Sequence, residues 1–308
     1  METMPISRKY WDMINWMRVL LKSVTGEINT PKAIWKLFYT AIGYISFFFS
    51  SAALLNDLTG CDKLEILEKE HWLVVIIVGI FVSCAHSRKK INCCKKVSNG
   101  DMQIAISVKD IFGNRDATSY IIPTNTFFRT KMDGDYISPN SVQGRFQLKY
   151  FKGNIPNLDN LIHENLNSQG ITGVLASDCF GSTTKYPVGT VAKIDNRGKH
   201  FYFVAITDVD EFGKPINQSI ENITIALAAV TRAIKHFDVL CIPLLGSGRA
   251  AIQEATKEDV FERTVNHFTQ PNNQCISKLI ISINPKDYLD GKFDLDRMKK
   301  YLDYRCEF

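Results

Sequence analysis

IENITIALAAVTRAIKHFDVLCIPLLGSGRA, residues 220–250, is the stretch from which the fold follows. Its first part, Ile220 to Phe237, is rich in Ala, Ile and Leu and predicts a helix. Val239 to Leu244 is an unbroken apolar run, the pattern of a strand covered on both faces. GSGRA at 246–250 then predicts a turn. A helix feeding directly into a buried strand is the repeating unit of an α/β protein.

Working outward, the same alternation continues on both sides. Downstream, Thr256 with Asp259 makes a capping-box-like start for a helix ending near Phe268. KLIISIN at 278–284 is another largely apolar strand, and Asp294 to Tyr304 is a final helix. Upstream, MQIAISV at 102–108 and SYIIP at 119–123 read as strands, the second ending in TNTFF at 124–128. YISPNSVQGRFQLKYF suggests a loop entering a helix, with Ser138 or Ser141 as its cap. NLDNLIHENLNS at 157–168 puts Leu158, Leu161, Ile162 and Leu166 on one helical face. Pro187 to Ile194 and Lys199 to Thr207 form a hairpin around the DNRG turn. Residues 101–308 are therefore expected to be one α/β sandwich, with KVSNGD at 96–101 as a short linker before it.

Three strand ends carry groups able to meet a ligand, since open α/β sheets bind beyond the carboxyl ends of their strands. Gly246 and Gly248 expose backbone N–H groups that suit a diphosphate, or they serve ordinary turn chemistry. Asn125 either bonds a ribose hydroxyl or caps a turn. Asp110 either accepts from an adenine amino group or acts as an N-cap.

Composition narrows the function classes. The chain of 308 residues carries a formal charge of +5, but residues 101–308 hold equal numbers of basic and acidic side chains. The excess lies in the first 100 residues, which argues against a nucleic-acid binder, whose basic charge gathers on its folded domain. Eight cysteines show no C-x-x-C pair and six histidines no H-x-x-x-H, so neither a metal site nor a disulfide framework is expected.

The amino-terminal third reads differently. LFYTAIGYISFFFSSAALL at 37–55 and HWLVVIIVGIFVSCAHS at 71–87 are long enough to cross a bilayer as helices. Basic residues before the first run (Arg8, Lys9, Arg18, Lys22, Lys32, Lys36) and after the second (Arg88, Lys89, Lys90, Lys95, Lys96) place both ends in the cytoplasm. The acidic connection between them is then outside. Residues 37–96 thus predict a transmembrane hairpin with a basic juxtamembrane stretch. Residues 1–36, with Trp11, Trp16, Met13 and Met17 among basic residues, predict an amphipathic segment lying in the interface or packed on the soluble domain. A cleaved signal peptide fits poorly, because the apolar run begins too late in the chain.

VKDIF at 108–112, IIPTNTFF at 121–128, YPVGTVA at 186–192 and VLCIPLLGSGRA at 239–250 resemble, in the family's order, a macro domain, the ADP-ribose-binding α/β module. With the apolar runs ahead of it, the chain is similar to the membrane-anchored macro-domain effectors of type II Thoeris, a bacterial anti-phage system. YIIPTN and ISPNSVQGRF are the more specific parts of that likeness. It implies a macro-domain three-layer sandwich, a mixed sheet between helices. It also implies that Asp110 and Ile111 meet adenine, that Asn125 with Thr124 and Phe127 meets the distal ribose, and that Gly246, Ser247, Gly248 and Arg249 hold the diphosphate. Ser138 and Ser141 would line the same cleft, and Tyr186 and Phe180 would meet a group beyond ADP-ribose.

The implied function is that of a sensor without a cofactor. The ligand would be an ADP-ribose derivative, of the histidine-ADP-ribose class, made by a partner TIR-domain enzyme that consumes NAD. Binding would drive a homo-oligomer that disrupts the bacterial inner membrane and stops the infected host. Hydrolytic macro domains follow the asparagine loop with a Gly-rich run, whereas TNTFFRTKMDGDYISPNS stands here, so no catalytic residue is expected. The alternative reading is a membrane-tethered ADP-ribosyl hydrolase.

Overall fold

A computed structural model describes residues 13–15, 17–19, 22–24, 31–59, 76–80 and 82, and residues 91–308 apart from 99, 133–136, 153, 177–183, 211–212, 235–237, 247, 249–251, 253 and 308. The chain divides into two compact units, Met1–Ile91 and Asn92–Phe308.

In the first unit, helix α1 spans Pro31–Thr59 and contains the whole of the first apolar run. Its 29 residues reach about 43 Å at the usual helical rise. Many of its large apolar side chains are uncovered, among them Phe38, Tyr39, Phe47 and Leu54, and Phe47 is 73% exposed. Residues 76–80 are helical, and Gly79 lies so close to Ile45 that a Cβ there would come within 2.6 Å of Ile45 Cγ1. Gly43, by contrast, faces open space. The small residue at this helix contact is Gly79. Among the described residues no helix is both long and apolar enough to cross a membrane. The hairpin expected over 37–55 and 71–87 is thus not established, and most of 1–36 and of the second span lies outside the described residues.

The second unit runs β1 (Cys93–Lys96), β2 (Gln103–Val108), β3 (Ser119–Asn125), α2 (Val142–Phe146), α3 (Ile155–Ser168), β4 (Val174–Leu175), β5 (Thr184–Lys185), β6 (Val191–Asn196), β7 (Lys199–Val209), β8 (Pro215–Ile216), α4 (Ile220–Ala233), β9 (Val239–Pro243), α5 (Lys257–Thr269), β10 (Lys278–Ile283), α6 (Pro285–Leu289) and α7 (Leu295–Glu307). A π-helical turn, Gln147–Phe151, continues α2. The main sheet has the order β1-β2-β10-β9-β3-β7-β6, with β8 paired to β7. Strands β2, β10, β9, β3 and β7 are mutually parallel, while β1, β6 and β8 join antiparallel.

Alternation along the strands divides the core. Tyr120, Ile122, Phe201, Phe203 and Ala205 face one layer with Phe146, Phe151, Leu158, Ile162 and Leu166, which come from α2, the π turn and α3. The intervening residues Ile104, Ile106, Ile121, Leu240, Ile242, Leu279 and Ile281 are buried on the other side, where α4 packs on β7 and α5 lies against α4 and α7. A mixed sheet between two helical layers results, as the alternation of apolar strands and helices implied. Thr256 and Asp259 form a reciprocal capping box at the start of α5, as read from their spacing.

Several boundaries differ from those expected, the strand expected from Pro187 starting only at Val191. KVSNGD is no linker between domains: Cys93–Lys96 pairs with Gln103–Ile106, and Val97 N–H donates to Met102 O at 2.9 Å across the turn. The folded unit therefore starts at Asn92, and the basic stretch contributes its edge strand. Helix α4 stops at Ala233, because Ile234 takes an extended conformation.

Candidate functional site

The five parallel strands open their carboxyl ends along one edge of the sheet. Asp110 follows β2, Gly246 follows β9, and Asn125 ends β3. Strand order puts the glycine turn between the other two. At about 4.8 Å per strand, the three intervals from β2 to β3 separate the outer loops by about 14 Å.

The loop after β2 is tightly fastened. Asp110 N-caps a short 3₁₀ turn, Ile111–Gly113, its Oδ1 accepting from Phe112 N–H at 2.8 Å. Its Oδ2 pairs with the guanidinium of Arg145 on α2. Asn114 Nδ2 donates to the Asp110 and Ile111 carbonyls and its Oδ1 accepts from Ser107 Oγ at 2.7 Å. Lys149 Nζ donates to Phe112 O at 3.1 Å and lies 5.5 Å from the Phe112 ring centroid. Burial, then repulsion from Lys199, Arg115 and Arg197, pulls the Lys149 pKa down. Ile111, expected to meet adenine, has its side chain 2% exposed and in the core. Only the backbone of that residue remains for a ligand, because a side chain committed to the core cannot also form a cleft wall.

The loop after β3 is a self-contained turn. Asn125 Oδ1 accepts from Phe127 N–H at 3.0 Å and Arg129 N–H at 3.4 Å. The side-chain carbonyl is thereby engaged in turn capping, which leaves the amide NH₂ as the group able to donate to a ligand oxygen. Phe128 sits at φ 51°, a left-handed conformation that disfavours a non-glycine residue by about 1 kcal/mol. Its ring packs edge-on to Tyr186 at 5.5 Å, and Tyr186 N–H donates to Thr126 O at 2.9 Å. Tyr186, singled out in the sequence, is thus brought to this turn, but 5% exposed, with burial raising its phenol pKa. Phe127 is also buried, with Arg129 and Lys185 5.4 Å and 5.9 Å from its ring centroid. Thr126 Oγ1 donates to Asp208 Oδ1 at 2.9 Å, and Lys185 pairs with the other Asp208 oxygen. Burial by itself would raise the Asp208 pKa, yet Lys185, Thr126 and the Val209 N–H outweigh it and hold the carboxyl below its ordinary range.

Thr124 is buried with its Oγ1 lacking a hydrogen-bond partner, as are both amide atoms of the fully buried Gln147. Gly246 takes φ +64°, a conformation glycine supplies without strain, and a Cβ at Gly248 would meet no atom within 4 Å. Ser247, Arg249 and Phe180 lie outside the described residues.

Ser138 and Ser141 do local work. Ser141 N-caps α2, accepting from Gly144 N–H at 3.0 Å and donating its hydroxyl to Ser138 O at 2.7 Å. Gly144 is required there, because a Cβ would come within 2.2 Å of the Ser138 carbonyl. Beyond the turn after β3, the Thr130 hydroxyl bonds Asp159, and a shallow cavity of about 350 Å³ is lined by Lys131, Ile155, Pro156, Asp159 and Asn160. Among the described residues no cluster of His, Cys, Asp or Glu is arranged to hold a metal ion.

Arg145, Lys149, Lys185 and Asp208 fasten these loops, as does Gln143, whose Nε2 donates to Arg129 O at 2.5 Å, and the sequence assigned none of them a role in the site. Each lies far along the chain from its partner, so no local spacing could have signalled it.

A model of the family described as Thoeris protein ThsA, Macro domain, matches residues 104–284. No curated protein matches the chain. Among solved structures, the chain is similar to a macrodomain of Oceanobacillus iheyensis with ADPR, at 11% identity over 70% of this chain and 100% of that one, TM-score 0.47. It is also similar to the macrodomain of Thermus aquaticus DarG, at 10% identity over 59% and 98%, TM-score 0.38. A Trypanosoma brucei macrodomain in complex with ADP-ribose gives 5% identity over 65% and 68%, TM-score 0.40.

Proposed function

Because this chain belongs to the Thoeris ThsA macro-domain family, matched over residues 104–284, we propose that it is a sensor that binds an ADP-ribose-type signal across its strand ends. One observation carries the reading: Asp110, Gly246 and Asn125 follow one another along a single sheet edge. Adenosine, diphosphate and distal ribose follow one another in the same order, over a similar length. Asp110 accepts from the adenine amino group, the backbone around Gly246 to Arg249 holds the diphosphate, and Asn125 donates to the distal ribose with Thr124 and Phe127 shaping that end. The signal is histidine-linked ADP-ribose made by a TIR-domain enzyme from NAD.

The output is anti-phage defence at the membrane. The uncovered Phe38, Tyr39, Phe47 and Leu54 support burial of α1 in lipid. The Trp35, Phe38 and Tyr39 rings, 5.6–6.3 Å apart, support an aromatic anchor at the interface. With residues 71–87 as the second arm, α1 forms a hairpin in the bacterial inner membrane with both termini cytoplasmic. A ligand drives assembly only by binding the assembling state more tightly, so occupancy favours a homo-oligomer whose gathered hairpins breach the bilayer.

The sensor binds without turnover. Two carboxylates near the turn after β3, Asp208 and Asp159, are already engaged, by Lys185 with Thr126 and by Thr130, which supports binding over water activation. The test is calorimetry on the full chain in detergent with ADP-ribose and histidine-ADP-ribose, with product analysis by mass spectrometry. One ligand per chain, released unchanged, is expected, and Gly248→Glu should abolish binding. The glutamate acts by setting a negative charge against the diphosphate. Absence of binding overturns the reading, and release of free ADP-ribose from the conjugate replaces the sensor with the hydrolase.

A further inference from the structure

We propose that one turn of α2 sets the two ends of the nucleotide cleft independently: Arg145 is the positioning residue for Asp110 at the adenine end, and Gln143 for the turn of Asn125 at the distal-ribose end. The inference rests on the ADP-ribose reading and deepens it by naming what fixes each half of the ligand.

Residues two apart on a helix are rotated by about 200°, so their side chains leave it in nearly opposite directions. Arg145 runs one way, with 18% of its side chain exposed, to the Asp110 carboxylate. Gln143, 5% exposed, runs the other way and donates its Nε2 to the Arg129 carbonyl at 2.5 Å. Arg129 closes the turn whose N–H groups Asn125 Oδ1 collects. Asp110 therefore has one oxygen fixed by the Phe112 N–H and the other by Arg145, which defines the plane of the carboxylate. Each oxygen keeps a second lone pair, and the fixed plane decides where that acceptor points. Lys149, one turn beyond Arg145, holds the Phe112 carbonyl of the same loop. The adenine end thus has two cationic fasteners from this segment, and the distal end has one neutral amide.

The helix is itself held by contacts of its own. Ser141 caps it, Gly144 lets the Ser138 backbone lie directly on it, and Phe146 is fully buried beneath it. Its two polar side chains consequently reach the loops from a fixed base.

Three ligands separate the ends: ADP-ribose, ADP, which lacks the distal ribose, and ribose 5-phosphate, which lacks adenosine and one phosphate. Their affinities are measured by calorimetry on the full chain in detergent. Arg145→Met should weaken ADP-ribose and ADP by the same factor, about tenfold, the scale of a charged hydrogen bond, and leave ribose 5-phosphate unchanged. Arg145→Lys should recover part of the loss. Gln143→Leu should weaken ADP-ribose and ribose 5-phosphate and leave ADP unchanged. A uniform loss across the three ligands in either variant, or no loss, overturns the inference and leaves these residues a structural role alone. Failure of the unaltered protein to bind any of the three overturns the ADP-ribose reading itself.

Discussion

Helix α1 and strand β3 are both rich in aromatic and aliphatic residues, and their side chains meet opposite surroundings. In β3, Tyr120, Ile121 and Ile122 are at most 1% exposed, covered from both faces of the sheet. In α1, Tyr39 is 67% and Phe47 73% exposed. A single folded unit provides the apolar environment that β3 needs, whereas among the described residues α1 keeps much of its apolar surface exposed. The difference is between two solvents for the same kind of residue: a packed interior and, in the proposal above, a bilayer.

The comparison breaks most visibly on partition. Residues 92–308 produced alone should stay in the supernatant without detergent, while the whole chain sediments with membranes and resists carbonate extraction. Recovery of the whole chain in the supernatant would remove the second solvent altogether.

Substituting the same residue type in each place gives the next largest effect. Phe146→Ala removes a ring packed against Phe201 and Phe203 and should destabilise the second unit by about 3–5 kcal/mol. Phe47→Ala should change the unfolding of that unit by less than about 0.5 kcal/mol. Denaturant titrations followed by near-ultraviolet circular dichroism measure both.

A smaller effect belongs to the surface of the second unit. Thr256→Ala breaks the capping box of α5 and should lower stability by about 1 kcal/mol, without altering membrane recovery.

The smallest tests how well the interior excludes charge. His267 bonds Thr231 Oγ1 through Nε2 at 2.8 Å, and burial lowers its pKa. Above the ordinary histidine pKa of about 6.5 both folded and unfolded states are neutral and the full stability is present. As pH falls from there through the depressed folded value, the unfolded chain takes up the proton first and stability drops. The thermal midpoint of the second unit should therefore fall on acidification across that window, and His267→Gln should flatten the slope.

Much of the fold was legible because it depends on short-range pattern. The runs at 102–108, 119–123, 239–244 and 278–284 mark strands, and Thr256 with Asp259 marks a helix start three residues apart. The edge strand Cys93–Lys96 was not legible: CCKK carries no apolar alternation, and it becomes a strand only because β2 offers an unpaired edge. The site divides the same way. Asp110, Asn125 and the glycine turn stand out because strand ends are visible in sequence, yet the sequence left open whether each caps a turn or meets a ligand. The structure gives the capping bonds of Asp110 and Asn125 outright.

By itself, then, the sequence determined most of the strands and helices, the three strand-end loops, and that charge is balanced over residues 101–308. Only the tertiary structure decided that Arg145 reaches Asp110 while Gln143 reaches the Arg129 carbonyl, that the Ile111 side chain belongs to the core, and that Gly79 lies against Ile45. The reason is physical: periodicity and turn chemistry act between residues a few positions apart, whereas an ion pair across 35 residues or a helix contact across 34 exists only once packing has brought distant backbone together.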